Sequence, residues 1–486
     1  MDLITAKKIK KEYTYWKWQI NANETFTEEM TIFTLTGKNV TYALAALESG
    51  HLAHIYYGKR ADDEDLSYLM RLNENPFVPK VNERDMGTFM DTTPFEYPCH
   101  GIGDYREPAV SIMDEKGMTA LDLRFVSYEM IDGKPELYQQ LEDCTVRLPA
   151  TFAAKDEAQT LAITMKDAHS GLTAILYYTV FADLNAITRS VKFINGGDKA
   201  FKLTRALSAC VDFDSDQYDF ITLNGSWARE RVMERCRLHH GKQSIDSVKG
   251  ESSHQNNPFA ALVSHNADED MGEAYGFNLV YSGNFFAQAE VTQHKKTRFV
   301  MGINHFDFSW KLEPAQEFTA PEVVMVYSDK GIGEMSRTFH DLYRQHIIRG
   351  EYKDKRRPIL INNWEATYFN FNTEKLIDIA KQASQLGIEM LVMDDGWFGH
   401  RDSDNSSLGD WFVYEKKIDG GLKHLVDEVN KLGMKFGIWF EPEMISPDSE
   451  LFKAHPDWAI RIEGMPMTQS RQQYVLDYSR KEVRDC

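Results

Sequence analysis

The sequence predicts a multidomain chain with two architectures: a large all-β sandwich up to about residue 330, and alternating strands and helices from Pro358 onward. Three observations carry this reading. Apolar and polar residues alternate over long stretches of the first part, the run "RGEYKDKRRP" then interposes charge, and the strands after it become continuously apolar.

Within residues 1–330, "LAITMKDAHSGLTAILYYTVFADLNAITRSVKFINGG" alternates in the way half-buried strands do. It is punctuated by Ser170-Gly171, Asp183 and Gly196-Gly197, as antiparallel hairpins require. "RFVMGINHFDFSWKLEP" and "PEVVMVYS" continue the style, and so many strands in one region imply two sheets packed on their inner faces. In residues 331–357, Met335, Phe339, Leu342, Tyr343 and Ile347 recur at helical spacing, which gives a connecting helix ahead of a charged linker. Residues 358–486 repeat one unit of strand, loop, amphipathic helix and glycine. "PILINNW" leads to a helix striped with Leu376, Ala380, Ala383 and Leu386, capped by Asn372 or Thr373 and stopped by Gly387. "IEMLVMDD" follows. A second helix, striped with Leu422, Leu425, Val426, Val429 and Leu432, then passes through Gly433 into "MKFGIWFEPE". Strands without alternation, separated by helices, imply a parallel sheet buried on both faces. A (β/α) barrel is the simplest such fold and a doubly wound sheet the second.

Composition narrows the function. With 55 Lys and Arg against 74 Asp and Glu, the formal charge of −19 repels phosphate backbones and anionic bilayers, so neither nucleic acid nor membrane is expected as a partner. The basic start "MDLITAKKIKKEYTYWKWQI" lacks the apolar core of a signal peptide, which makes the cytoplasm the default location. Five scattered cysteines with no CxxC pair read as reduced thiols.

In a parallel barrel the chemistry sits where strands end. "INNWE", "MDDGWFG" and "WFEPE" place Trp364, Glu365, Asp394, Asp395, Trp397, Trp439, Glu441 and Glu443 at three successive strand ends. Carboxylates and indoles together suit a sugar: the former accept from several hydroxyls, and the latter pack on the C–H face of a pyranose. Capping by Asp394 and Asp395 is the plain alternative, and divalent-metal binding another, although so many tryptophans would crowd a hydrated ion. Trp364 and Trp439 could equally be core residues. "HRDSDNSSLGD" begins like a calcium loop but lacks its glycine and closing glutamate, and reads as solvated. His239-His240 read as exposed imidazoles, and "GSWARERVMER" as a salt-bridged loop.

The motifs "RPILINNWEATYFNF", "LVMDDGWFG", "LGDW", "FGIWFEPEMISPDSEL", "HPDW" and "QYVLDYSR", with "AITRSVKF", "SSHQNNPF", "YSGNFF" and "PEVVMVYSD" earlier, resemble the bacterial α-galactosidases of glycoside hydrolase family 36. The resemblance implies an N-terminal all-β supersandwich, a (β/α)8 TIM-type barrel, a C-terminal β domain, and frequently a homotetramer. It also implies retaining hydrolysis of terminal α-D-galactose from melibiose- and raffinose-type galactosides without cofactor or metal. Carried over by motif, Asp394 and Asp395 hold galactose hydroxyls, Arg471 reaches the substrate, Trp364 and Trp439 are pocket walls, and Trp227 is an indole offered by the sandwich. Where relatives have a substrate-contacting aspartate after a "YWGK"-like strand, "YYGKRADDEDLSYLMRLNENP" leaves Asn73 as the nearest match.

A retaining glycosidase needs a nucleophile and an acid/base carboxyl about 5 Å apart. The family's nucleophile sits in a "KWDMN"-type motif that does not occur here, so no catalytic residue is assigned. From Pro358 to Cys486 there are 129 residues, against about 250 in a whole barrel. The expectation is an incomplete barrel, truncated before both catalytic aspartates, with Ser479 and Glu482 as a capping box opening the next helix. Such a chain is expected to be inactive alone. Glu441 and Glu443 are the acids that could substitute. A non-catalytic galactoside-binding or scaffold protein is one alternative, and an enzyme acting on α-N-acetylgalactosaminides or transferring galactosyl groups is another.

Overall fold

The structure, a computed structural model, describes residues 2–17, 22–62, 65–70, 77, 79, 89–141 and 143–486. The chain divides between Ile348 and Arg349 into two compact units.

The first unit is built almost wholly of antiparallel strands. A meander joins Ile4–Lys17, Ala22–Thr36, Val40–Leu47 and Leu52–Lys59. A ten-stranded sheet runs from Arg229–Arg237 at one end to Leu123–Asp132 at the other, and a six-stranded sheet is centred on Thr297–Ile303 and Phe201–Phe213. The alternation that predicts these strands is visible in their burial: inward residues of Leu172–Phe181 alternate with half-buried ones as far as Tyr177, and from Tyr178 every residue is buried. Phe277 of the ten-stranded sheet stacks on Phe299 of the six-stranded one, ring centroids 3.9 Å apart, in the apolar layer between them.

Charge is also buried there. Glu96, fully enclosed, accepts hydrogen bonds from Tyr42 (2.6 Å), Tyr178 (2.9 Å) and His54 (3.0 Å) and pairs with Arg189 at 2.8 Å. Arg298 donates to both oxygens of Asp212 (2.7 and 2.8 Å) and to Asp104 (2.9 Å), and Asp104 also accepts from Arg106. Burial opposes the charge on Asp104, yet Arg298 and Arg106 outweigh it and hold the carboxyl down at about 2. These charges are tolerable inside because each is paired and hydrogen-bonded.

The helix Gly331–His346 lies on the ten-stranded sheet. Met335, Phe339 and Leu342, the residues of the expected stripe, are buried against Ala186, Val324 and Val326. Gly276 is what allows the approach: a Cβ there would stand 2.6 Å from Phe339 and 2.7 Å from the Met335 sulfur.

The second unit contains a parallel sheet of Leu360–Asn362, Met390–Met393 and Lys435–Ile438, in the register Leu360 beside Met390 beside Lys435. Helices Thr373–Gln385 and Gly421–Lys431 connect them. Asn372 is the cap of the first, its Oδ1 accepting from the Lys375 amide at 2.9 Å, while Thr373 is already helical. Gly387 and Gly433, at φ 80° and 76°, turn the chain out of the two helices. Leu376, Ala380 and Ala383 are buried as the stripe requires, but Leu386 is 81% exposed because it occupies the C-cap, past the last helical turn. Among the described residues the sheet has three strands, and Ile359, Leu360 and Phe440 remain more than half exposed on it or beside it.

A two-stranded ribbon of Met444–Ile445 and Tyr474–Val475 follows, with the helix Glu450–Ala454 capped by Ser449. The capping box at Ser479 is not formed. The last helix, Lys481–Asp485, starts from Arg480, and the Ser479 hydroxyl donates instead to Asp477 at 2.6 Å, an acceptor two residues away that a turn can reach without helix. No helix among the described residues is long and apolar enough to cross a membrane.

Candidate active site

The C-terminal ends of the three parallel strands are tied to one another by the residues that follow them. The Asn363 side chain accepts from the Asp394 amide at 2.8 Å, and Asn362 Nδ2 donates to Asp394 Oδ2 at 2.5 Å. On the other side the Trp439 amide donates to the Met393 carbonyl (3.0 Å), and the Trp397 indole N–H donates to the Trp439 carbonyl (3.0 Å). The three loops are thereby held as one rim.

Asp394 and Asp395 part company on this rim, because successive residues leaving a strand face opposite ways. Asp394 is half-buried, with one oxygen accepting from Asn362 and the other from the Asp395 amide. Asp395 is buried in a two-pronged pair with Arg401, whose Nε and Nη2 reach its two oxygens at 2.7 and 2.9 Å. Arg401 is fully enclosed and also donates to the carbonyls of Asp404 and Ser406. A fork of this kind fixes both planes and makes Asp395 the strut of the 401–407 loop.

Trp364 and Trp439 are both partly exposed, and Trp364 stands edge-on to Tyr368 and Phe369. Trp397 is buried, in contact with Trp411 and Phe440. Arg471 projects from the ribbon turn with its guanidinium between Asp404 (2.5 Å) and Glu441 (3.5 Å). Burial pushes the Glu441 carboxyl above the usual carboxylate range, opposed by Arg471, while Glu443 pushes it further up. Glu443 is exposed, and its backbone carbonyl accepts from Leu476.

Among the sequence candidates, the structure thus links Asp394, Asp395 and Trp439 directly or through Met393, links Glu441 and Arg471 to Asp395 through Asp404 and Arg401, and joins Trp364 through Asn362, which accepts from the Trp364 amide. Trp227 belongs to the first unit, 83% exposed beyond strand Tyr218–Ser226. Asn73 lies outside the described residues. Among those described, no group of three or more His, Cys, Asp or Glu is placed to hold a metal ion. Residues 402–405 are solvated, as their composition suggests, but Arg401 and Ser407–Asp410 on either side are buried. Sequence reasoning passed over Arg401, Asn362 and Asn363. The asparagines had a signal in their place at a strand end, whereas Arg401 had none, since a buried arginine in a polar loop follows no period.

Comparison with known proteins bears on both units. The model described as the glycosyl hydrolase family 36 N-terminal domain matches residues 50–313, and the melibiase model matches residues 317–486. The alpha-galactosidase AgaA of Geobacillus stearothermophilus is 49% identical over 454 residues, covering 93% of this chain and 61% of that protein. Alpha-galactosidase Mel36A of Lactobacillus acidophilus is 44% identical over 462 residues, covering 95% of this chain and 62% of its own. The crystal structure of AgaA superposes with a TM-score of 0.89 at 48% identity over 93% of this chain and 62% of that one, and variants of AgaA have been solved in complex with raffinose and with stachyose. The chain therefore spans about three-fifths of the length of these relatives.

Proposed function

We propose, from the premise that this chain belongs to glycosyl hydrolase family 36, that it recognises the terminal α-D-galactosyl group of raffinose-type oligosaccharides for retaining hydrolysis, and that residues 1–486 supply the recognition half of that site. The observation that carries the reading is the rim itself: a half-buried carboxylate, two partly exposed indoles and an arginine meet at the ends of parallel strands. Asp394 and Arg471 bond hydroxyls of the galactose, and Asp395 does so while braced by Arg401. Trp364 and Trp439 offer flat faces to the sugar C–H groups, and Trp227, in the first unit, is by itself an exposed indole of the kind that stacks on a sugar. The first unit, a β-supersandwich, and the second, the opening strands and helices of a (β/α)8 barrel, are the folds of the two matched families.

Neither Glu441 nor Glu443 on this rim suits the role of nucleophile. Glu441 is only 13% exposed and faces Arg471 at 3.5 Å, so its carboxylate is turned to the arginine and not to an anomeric carbon. Glu443 is exposed, and its strand-end neighbour Glu441 is a like charge. Residues 1–486 by themselves are expected to bind galactose and turn nothing over.

The test joins calorimetry to an activity assay on the purified 486-residue chain. Saturable heat with galactose and raffinose, lost in Asp394→Ala, together with no release of nitrophenol from 4-nitrophenyl α-galactoside, is the expected result. Heat that survives Asp394→Ala would overturn the site, and turnover would overturn the division of labour.

A further inference from the structure

Arg471 is held in an unusual way. It and Gln472 both have left-handed backbone, φ 51° and 59°, in a turn closed by reciprocal hydrogen bonds between the backbones of Ser470 and Gln473. Non-glycine residues adopt this conformation in succession only where their surroundings impose it, and such outliers concentrate at functional sites. The imposing contact is Gln473, which is fully buried and donates from Nε2 to the Asp404 carbonyl at 3.1 Å, the same carbonyl that accepts from Arg401. The turn is thus fastened to the loop that Asp395 braces.

The guanidinium has two carboxylates to choose between. Asp404, at 2.5 Å, is half exposed, and its attraction is screened by water. Glu441, at 3.5 Å, is 13% exposed, and its Oε2 is buried with no hydrogen-bond partner. A buried acceptor left unmatched is costly, and in a functional rim it marks a place where a donor is meant to arrive. Glu441 is three residues beyond the strand Lys435–Ile438, so it is anchored to the sheet, while Asp404 rides on a solvated loop.

We propose that Glu441 is a positioning residue for sugar recognition: its anchored carboxylate holds the second side of the Arg471 guanidinium against the pull of Asp404 and aims it at the galactoside. This rests on the recognition role proposed above for Arg471. The groups facing the pair are Glu443, Asp395 and Arg401 around Glu441, and Asp404 on the far side of Arg471. Since burial favours the neutral form of Glu441, its hold on Arg471 strengthens as the carboxyl ionises at a pH above the ordinary carboxylate range.

Two measurements test the proposal. In the ligand-free chain, selectively labelled with [15N]arginine, the Arg471 Nε resonance titrates with a midpoint above the ordinary carboxylate range, and Glu441→Gln abolishes that step. A resonance that ignores Glu441→Gln overturns the proposal whether or not galactose binds, and so separates its failure from failure of the recognition role. In calorimetry at pH 7, Glu441→Gln weakens galactose binding about tenfold, the loss of one charge-assisted contact. The same change made in Arg471→Ala has no further effect, and Glu441→Asp recovers part of the affinity. Additive losses in the double variant would show that Glu441 acts independently of Arg471 and overturn the inference.

Discussion

The two units bury charge on different terms. In the sandwich, Arg298 is enclosed with Asp104 and Asp212, and Glu96 is enclosed with Arg189 and two tyrosines, so every oxygen of these carboxylates meets a donor. In the second unit Asp395 meets that standard through Arg401 and Asp410 through the backbone amides of Glu450 and Leu451, while Glu441 keeps one oxygen without a partner and Arg471 stays half exposed between two acids. The lesson is that pairing with Arg401 fixes Asp395 in place without exhausting its lone pairs, whereas Glu441 leaves one acceptor wholly open.

The largest effect that would break this comparison is expected in the sandwich. Arg298→Ala leaves buried Asp212 with only the 3.4 Å contact to Arg106, which must also hold Asp104, and should cost about 3–5 kcal/mol, seen as a lower urea midpoint for the unit's cooperative transition. A loss below about 1 kcal/mol would mean that water enters to replace the guanidinium.

Acid should pull the two kinds of site in opposite directions. The carboxyls of Asp104 and Glu107 are held at about 2 in the folded state, below their unfolded values. Their stabilisation is therefore complete above the ordinary carboxylate range and is lost as pH falls toward 2. Glu441 is raised, so its contribution is present below the unfolded value and lost as pH rises through the folded one. Urea midpoints of the parent and of Glu441→Gln should accordingly diverge as pH is raised from about 4 to 7, with the parent losing ground. Parallel curves would remove Glu441 from the class of strained acids.

The smallest effect belongs to Arg471. Its close partner, Asp404, is half exposed and its buried partner, Glu441, is 3.5 Å away, so Arg471→Ala should change stability by less than about 1 kcal/mol. A cost comparable to that of Arg298→Ala would assign Arg471 to the scaffold and leave the rim without its arginine.

The parts of the molecule legible in the sequence are those set by local rules. Alternation marks the sandwich strands, the Leu376–Ala380–Ala383 stripe marks a helix, Asn372 marks its start, and the acidic and aromatic ends of three apolar strands mark the rim. Local rules failed where a competing neighbour was nearer. Ser479 found Asp477 before it found a helix, and Leu386 fell one position past the last turn. What could not be read at all was pairing at a distance. Arg401 looks like one more charge in a solvated loop until the fold brings Asp395 to it, and the partners of Glu96 come from four separate strands.

The Glu96 hub also has a bearing on the order in which the chain can fold. Tyr42 lies 54 residues before it, Tyr178 lies 82 after it, and Arg189 follows Tyr178 by a further 11. Closing such loops costs entropy that is repaid only when the last contact forms. A carboxylate cannot be dehydrated ahead of the guanidinium that neutralises it. On a ribosome, the Glu96 ion pair is therefore completed only after Arg189 has emerged, so the strands that precede it do not by themselves finish this part of the sandwich core.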